Sequence, residues 1–429
     1  MRCKNCDRLE QRIIQLEKLV AELQKRLERY ENSNKPPSAG GSYPKREPSG
    51  LKPGAQPGHE GTTREEKEPD EVRDAAPLTE CPTCQHALGE PFKVLSNRFE
   101  DTPAPQKSKT TQLNQGVYEC PGCGEIHIAT DPQFPQSGLF GFNLMVEVVM
   151  MKFDQRLPFR KIRQALRNQF QLDLTPAAIW MLIRRVAAAG EAEFRKILKE
   201  MHKQAVVHAD ETSRKVKGKM RWLWVFLSSA AVLFLANRGR GKEVVEEVLG
   251  KDFNGLLGCD GWSAYSFIRL LQRCWAHLLR ESKNLKQRAG GAAAAWIHKR
   301  LKKLFDTAES LRLATLSDAA RQKAHDKLNR ALMRVVQLAK KHKETRKFGE
   351  KIGNGMGNWF TAVLHPEIEL TNNCAERAIR EPVVQRKISG SLRSEDGAHA
   401  LEVLMTLMST SKLRGENPRE MFLQLLRGS

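Results

Sequence analysis

The chain has no uninterrupted apolar run of the roughly 20 residues that a membrane helix needs. Its longest candidate, residues 222–236, is broken by Ser228 and Ser229 and bounded by Arg221 and Asn237. The opening MRCKNCDRLE carries no apolar signal region. Acidic residues are in short supply: 50 Asp+Glu stand against 71 Lys+Arg, a net charge of +21 over 429 residues. These absences argue against a membrane or secreted protein. A composition 40% hydrophobic and 28% charged argues against a collagen-like or wholly disordered chain. The expectation is a cytoplasmic protein of about three domains, with no membrane partner.

The positive excess is concentrated. Residues 266–350 hold 21 Lys+Arg and 7 Asp+Glu, a net +14. A field of that density attracts polyanions by releasing their condensed counterions, so nucleic acid is the first partner to consider. A merely solvated basic surface has the same composition. Six of the nine cysteines form CxxC pairs, Cys3/Cys6, Cys81/Cys84 and Cys120/Cys123. Without a signal region these point to a reducing compartment and to metal ligands rather than disulfides.

Residues 1–31 carry a heptad. Cys6, Leu9, Ile13, Leu16, Val20, Leu23, Leu27 and Tyr30 alternate spacings of three and four. β-Branched residues at one seam position and leucine at the other favour a parallel two-stranded coiled coil, hence a homodimer. Residues 32–80 are rich in Pro, Gly, Ser and charge, with almost no aliphatic residue, and make a flexible linker. In residues 81–130, Cys81-Pro-Thr-Cys84 and Cys120-Pro-Gly-Cys123 stand 35 residues apart. Each is a tight turn that aims two thiolates at one point, and two such turns complete a tetrahedral site, a zinc ribbon with an enlarged middle. Residues 92–95 and 115–119 are its expected strands. Cys3 and Cys6 have no partner pair nearby.

Residues 140–200 form a helical unit: helices over 142–153 and 159–170, then one from Pro176 through Val186 with Thr175 as N-cap. Arg184 and Arg185 give the last a basic face, and the arrangement resembles a DNA-reading helix-turn-helix. Any small helical bundle has the same pattern. From Gln204 the period becomes that of strands: 204–210, 220–228 and 231–237, then a helix over 241–249 and short strands at 255–259 and 273–276. Three strands in a meander, a helix and two more strands is the element order of the ribonuclease H-like fold. That fold is expected over residues 201–410, with a basic helical insertion over about 278–350. A helical stretch from near Asn372, interrupted at Pro382, leads to a helical tail over 411–429. The whole is a multidomain α/β chain.

Asp210 ends the first of these strands and Asp260 follows the fourth. In that fold the two strands lie side by side, so the carboxylates meet at one edge of the sheet. Glu376 lies in the first turns of a helix able to cross that edge. Three hard oxygen ligands suit a pair of Mg²⁺ ions, or Mn²⁺ in their place, acting on a phosphodiester. Taken singly, the aspartates are ordinary strand-end caps and Glu376 an i,i+4 partner of Arg380. Trp222 and Trp224 alternate with apolar residues on a strand and are expected in the core.

The segments HADETSRKVKGKMRWLWVF, CDGWSAY, CWAHLLRE and NNCAERAIREPVVQRKISGSLRSEDGAHA resemble the DDE transposases of the insertion-sequence-66 type. The heptad, the KPPS…GAQPGHEG linker and the CPTC/CPGC pairs resemble that family in the same order. The resemblance implies a prokaryotic mobile-element transposase with Asp210, Asp260 and Glu376 as its metal-binding triad and Zn²⁺ on Cys81, Cys84, Cys120 and Cys123. It implies binding to terminal inverted repeats, cleavage at element ends and joining of the 3′-hydroxyl to target DNA, with accessory proteins of the same element as further partners. His277, Arg280, Arg377, Arg380, Arg386, Lys387 and Arg393 are its candidate DNA contacts. The sequence departs from the family at Thr371, often Asp, and at Leu278-Leu279-Arg280, where Arg-Arg commonly follows Ala-His. A silent DNA-binding regulator and a nuclease of the same fold are the alternatives.

Overall fold

The computed structural model describes residues 13, 15–17, 19–21, 68–99, 102–237, 239–289 and 291–428. Most of the heptad and nearly all of the linker lie outside them; Ile13, Leu16 and Val20 are helical, each about half exposed. The chain divides into two units, Met1–Ala104 and Pro105–Ser429.

In the first unit the turn at Cys81 is closed by Cys81 N–H donating to the His86 carbonyl (2.8 Å) and Gln85 N–H to the Cys81 carbonyl (2.9 Å). Gln85 takes the left-handed conformation, φ 61°. The strand expected over 92–95 does not form: Phe92, Val94 and Leu95 face solvent with no strand beside them among the described residues. An isolated strand leaves its backbone donors to water and gains no ladder.

The second unit opens with a hairpin, β1 (Val117–Glu119) against β2 (Ile126–Ile128), antiparallel. Its loop repeats the bonding at Cys81. Cys120 N–H donates to the Glu125 carbonyl and Gly124 N–H to the Cys120 carbonyl, both at 2.8 Å, with Gly124 at φ 76°.

Three helices follow. α1 (Phe142–Val149) runs on as a π turn, Met150–Asp154, and α2 (Phe159–Phe170) ends at left-handed Gln171. α3 (Pro176–Met201) starts where Thr175 accepts the Ala178 N–H (3.2 Å). It extends well beyond Val186, because Gly190, Phe194, Ile197 and Met201 continue its buried stripe. A helix this long and this buried owes its position to packing. Its Arg184 pairs with Asp396 at 3.8 Å.

The sheet has the order β5-β4-β3-β6-β7. β3 (Val206–Val216), β4 (Lys219–Leu227) and β5 (Val232–Asn237) are an antiparallel meander. Lys217 and Gly218, both at positive φ, form the two-residue turn between the first two, the geometry whose twist matches the flanking strands. α4 (Lys242–Leu249) carries the chain across to β6 (Leu256–Cys259), parallel to β3, and β7 (Leu270–Arg273) pairs parallel to β6.

Four helices branch from β7: α5 (Trp275–Ala289), α6 (Ala292–Leu313), α7 (Asp318–Lys341) and α8 (Arg346–Gly353). Short α9 (Thr361–Leu364) follows. They build a second apolar core around Trp275, Leu301, Leu332 and Phe360, apart from the one beneath the sheet.

α10 (Asn373–Ser389), α11 (Glu395–Leu413) and α12 (Pro418–Arg427) complete the unit. The break expected at Pro382 does not occur. Its ring is buried within α10, and the helix ends at Gly390, φ 74°. α11 seals the sheet's open edge. Glu402, Thr406 and Thr410 accept the N–H groups of Ala236 (2.6 Å), Phe234 (2.9 Å) and Val232 (3.1 Å). Four helical residues and two strand residues advance by nearly equal lengths, about 6 and 6.8 Å, so the acceptors keep step with the donors. Among the described residues no helix is long and apolar enough to cross a membrane.

Candidate active site

The parallel pairing of β3 with β6 stops at His208↔Gly258, while the antiparallel pairing with β4 continues through Val216↔Lys219. Asp210 is therefore mid-strand rather than at a strand end, but it lies two residues past the point where β6 leaves β3. Asp260 follows the last residue of β6. Asp210 Oδ1 accepts the Glu211 N–H (2.9 Å), and Asp260 Oδ1 accepts the Trp262 N–H (2.8 Å). The Asp210 carboxyl is pushed up to about 7, first by burial and then by the neighbouring charges of Glu211, Asp260 and Glu376.

Asn372 brings Glu376 there. Fully buried at the start of α10, it donates from Nδ2 to the Ala209 carbonyl (2.7 Å) and from its backbone N–H to Cys274 Sγ (3.1 Å). Its own carbonyl accepts the Glu376 N–H (3.1 Å). Glu376 turns toward α5 rather than toward Arg380, with His277 Nδ1 at 3.4 Å and Arg280 Nη2 at 3.5 Å. The His277 contact has ion-pair distance without hydrogen-bond geometry, and both atoms are shielded and unpartnered. His277 does not follow a strand over 273–276. β7 ends at Arg273, and His277 lies in the first turn of α5. Cys274, an isolated cysteine in the sequence, offers its sulfur within 4.8 Å of a donor atom from His277 and one from Glu376.

A second constellation backs Asp210. Successive strand residues face opposite ways, and Glu211 points away from Asp210, its side chain only 1% exposed. Arg240 donates twice to its Oε1 (2.9 and 2.6 Å) and Tyr265 Oη to Oε2 (2.6 Å). Burial still holds the Glu211 carboxyl above its ordinary range. The Arg240 guanidinium lies between Trp222 (4.3 Å) and Trp262 (3.9 Å), and its carbonyl accepts the Trp262 Nε1–H (3.0 Å). Trp224 is core as expected, whereas Trp222 is only partly buried and covers this arginine. The acidic pair Asp210-Glu211 was the visible signal for this network; Arg240 had none.

Residues 137–400 match the model of the family described as Transposase IS66 family, a span holding the whole sheet and all three carboxylates. The chain belongs to the IS66 transposase family. Three similar proteins come from Sinorhizobium fredii (strain NBRC 101917 / NGR234). Uncharacterized protein y4jD is 24% identical over 79% of this chain and 72% of its own length. Uncharacterized protein y4qI is 25% identical over 71% and 62%. Uncharacterized protein y4hP is 21% identical over 82% and 71%. The chain thus spans 62–72% of these relatives' own lengths.

For an IS66 transposase the disposition of basic side chains beside the carboxylates matters. Arg377, Arg380, Lys387 and Arg393 are exposed on and just after α10. Arg386 instead folds back on β3, bonding the Ser213 carbonyl and approaching Thr212 Oγ1 at 3.5 Å. Arg280 is more than half exposed while facing Glu376.

Each cysteine turn of this family member directs backbone N–H groups at its first sulfur. At Cys81 the backbone N–H groups of Cys84 and Thr83 hold the thiol below its ordinary range, and at Cys120 those of Gly122 and Cys123 do the same. N–H groups directed at sulfur favour the thiolate, the form that ligates. Cys81 and Cys84 belong to the first unit, Cys120 and Cys123 to the second.

Proposed function

We propose that the chain is a DDE transposase that binds the terminal inverted repeats of its element, cleaves DNA at the element ends and joins the freed 3′-hydroxyl to target DNA. The observations that support this reading are Asp210 two residues past the point where β6 leaves β3, Asp260 directly after β6, and Glu376 on the helix that Asn372 ties to the Ala209 carbonyl. The strand order, with β6 parallel beside the first strand of the meander, supports a ribonuclease H-like catalytic domain.

The site fits hard divalent cations. Burial and repulsion by neighbouring carboxylates each raise the Asp210 carboxyl, together up to about 7. A cation relieves both costs. Asp210, Asp260 and Glu376 would hold Mg²⁺ or Mn²⁺, which when bound supplies Lewis-acid activation and charge stabilisation at a phosphodiester. Asn372 keeps Glu376 against β3. Arg377, Arg380, Lys387 and Arg393 line the route of a DNA backbone past the carboxylates, contacts that orient without reading sequence. Cys81 and Cys84 in one turn, and Cys120 and Cys123 in the other, are the candidate ligands for structural Zn²⁺. The heptad over 6–30 would pair two copies, and accessory proteins of the same element are further partners.

Glu376→Gln tests the reading. It keeps the size of the side chain and removes the charge that would hold a cation. The variant is expected to bind element ends like the parent and to lose cleavage and joining by several orders of magnitude. Asp210→Asn and Asp260→Asn are expected to behave alike, without additivity. Near-parental joining by Glu376→Gln in Mg²⁺ would remove it from the triad.

A further inference from the structure

The cluster on the α5 side of Glu376 has a donor set unlike that of the three carboxylates. Cys274, His277 and Glu376 each place one ligand atom within 4.8 Å of the others. His277 Nδ1 and Glu376 Oε1 stand 3.4 Å apart, shielded from solvent and without hydrogen-bond partners. Zinc–nitrogen and zinc–oxygen bonds of roughly 2.0–2.2 Å put tetrahedral neighbours roughly 3.3–3.6 Å apart, so this pair already has the spacing of two ligands on one ion. Cys274 and His277 are three residues apart at the start of α5, which brings both to one side of its first turn. The sulfur accepts the Asn372 N–H at 3.1 Å, a bond that suits a ligating thiolate, while burial holds the thiol above its ordinary range until a cation takes the proton's place.

We propose that Cys274, His277 and Glu376 form a binding site for a borderline divalent cation, Zn²⁺ above all. Thiolate and imidazole select such an ion over Mg²⁺, which takes oxygen ligands. Binding releases the Cys274 thiol proton to solvent as the sulfur ligates. The site shares Glu376 with the all-oxygen site, so zinc bound here draws that carboxylate away from Asp210 and Asp260 and inhibits the Mg²⁺-dependent reaction. The inhibition rests on the transposase reading; the zinc site does not.

Equilibrium dialysis of the full chain against Zn²⁺, with bound metal counted by atomic emission, tests the site without DNA or turnover. Cys274→Ser and His277→Ala are each expected to bind one equivalent fewer than the parent. Circular dichroism melts show whether each variant is folded, and either folded variant suffices. Parental stoichiometry in a folded variant overturns the site. Cobalt titration supplies a second reading: the parent's tetrahedral visible bands are expected to weaken in either variant, and identical spectra count against it. In saturating Mg²⁺, zinc is expected to inhibit cleavage, with the half-inhibiting concentration raised at least tenfold by Cys274→Ser. Full activity with zinc bound at this site would overturn the sharing of Glu376. A parent that binds the extra zinc but never cleaves DNA would sink the transposase reading and leave the zinc site standing.

Discussion

Asn372 ties together three segments far apart in the chain. Because its Nδ2 donates to the Ala209 carbonyl, its Oδ1 is the acceptor for His208 Nδ1–H at 3.0 Å, which fixes the imidazole tautomer. Burial lowers the His208 pKa, keeping that ring neutral. Gly258 makes room for the ring, since a Cβ there would meet it within 2.4 Å. Asn372→Ala strands a buried carbonyl and a buried ring N–H, at a cost of about 1–3 kcal/mol, measurable by urea denaturation. A larger effect is expected on chemistry: cleavage down more than tenfold, with the Mg²⁺ concentration for half-maximal rate raised, because Glu376 loses its anchor to β3. An unchanged Mg²⁺ dependence would reduce Asn372 to a structural residue. Asp210, expected at a strand end, lies mid-strand where β6 leaves β3, and Asp260 lies directly after its strand, but both aspartates were readable from a recognisable element order. Asn372, Cys274 and Arg240 were not, since each acts through a contact with a distant segment and none leaves a periodic trace.

At the scale of elements, turn chemistry and period made most of the meander and α2 readable, and side-chain bonding between elements explains much of what they missed. β3 runs on past Asp210 because the Lys217-Gly218 turn keeps it paired with β4, and α3 runs on past Val186 because α11 covers its second half. Gly190 allows that approach: a Cβ would lie 2.5 Å from Leu407 Cδ1. The same two helices are joined by His399, whose Nε2 lies 2.8 Å from Glu191 on α3 and whose Nδ1 lies 3.0 Å from Glu402 on α11. Hydrogen bonding to Glu402, then to Glu191, lifts the His399 pKa to about 9 against the opposing effect of burial. Arg195, also bonded to Glu191, is the other charge facing this junction. A folded-state pKa above the unfolded value of about 6.5 means stability that is full below pH 6.5 and lost as pH rises through 9. The melting temperature is therefore expected to fall between about pH 6.5 and 9.5, and His399→Gln to flatten that slope. Parallel pH profiles for the two proteins would place the titration elsewhere.

The whole second unit sets two apolar cores side by side, and the one built by α5–α9 wears most of the positive charge. Some of that charge is spent internally. Arg321 donates to the carbonyls of Val363 (3.0 Å) and Ala314 (2.9 Å), and Arg312 pairs with Glu309 at 2.7 Å. Lys283, Lys286, Lys302, Lys303, Lys327, Lys343 and Lys347 remain exposed along α5 to α8, with few carboxylates to offset them. Lysines on helical surfaces without a base-reading motif attract phosphates irrespective of sequence, and each contact made releases a condensed counterion. Binding of the full chain to a random duplex, followed by anisotropy, is therefore expected to weaken with salt at a log–log slope of about −4 to −5, the signature of about five phosphate contacts. Replacing Lys302 and Lys303 together by serine removes two candidate contacts on α6 without touching either core, and is expected to reduce that slope by about 2 if both lysines meet phosphate. The same loss on element ends and on random DNA would mark the surface as backbone-binding, leaving recognition of the repeats to the rest of the chain. A salt-independent affinity, or a slope unmoved by the double substitution, would mean that these lysines serve solubility and that the DNA path runs past α10 instead.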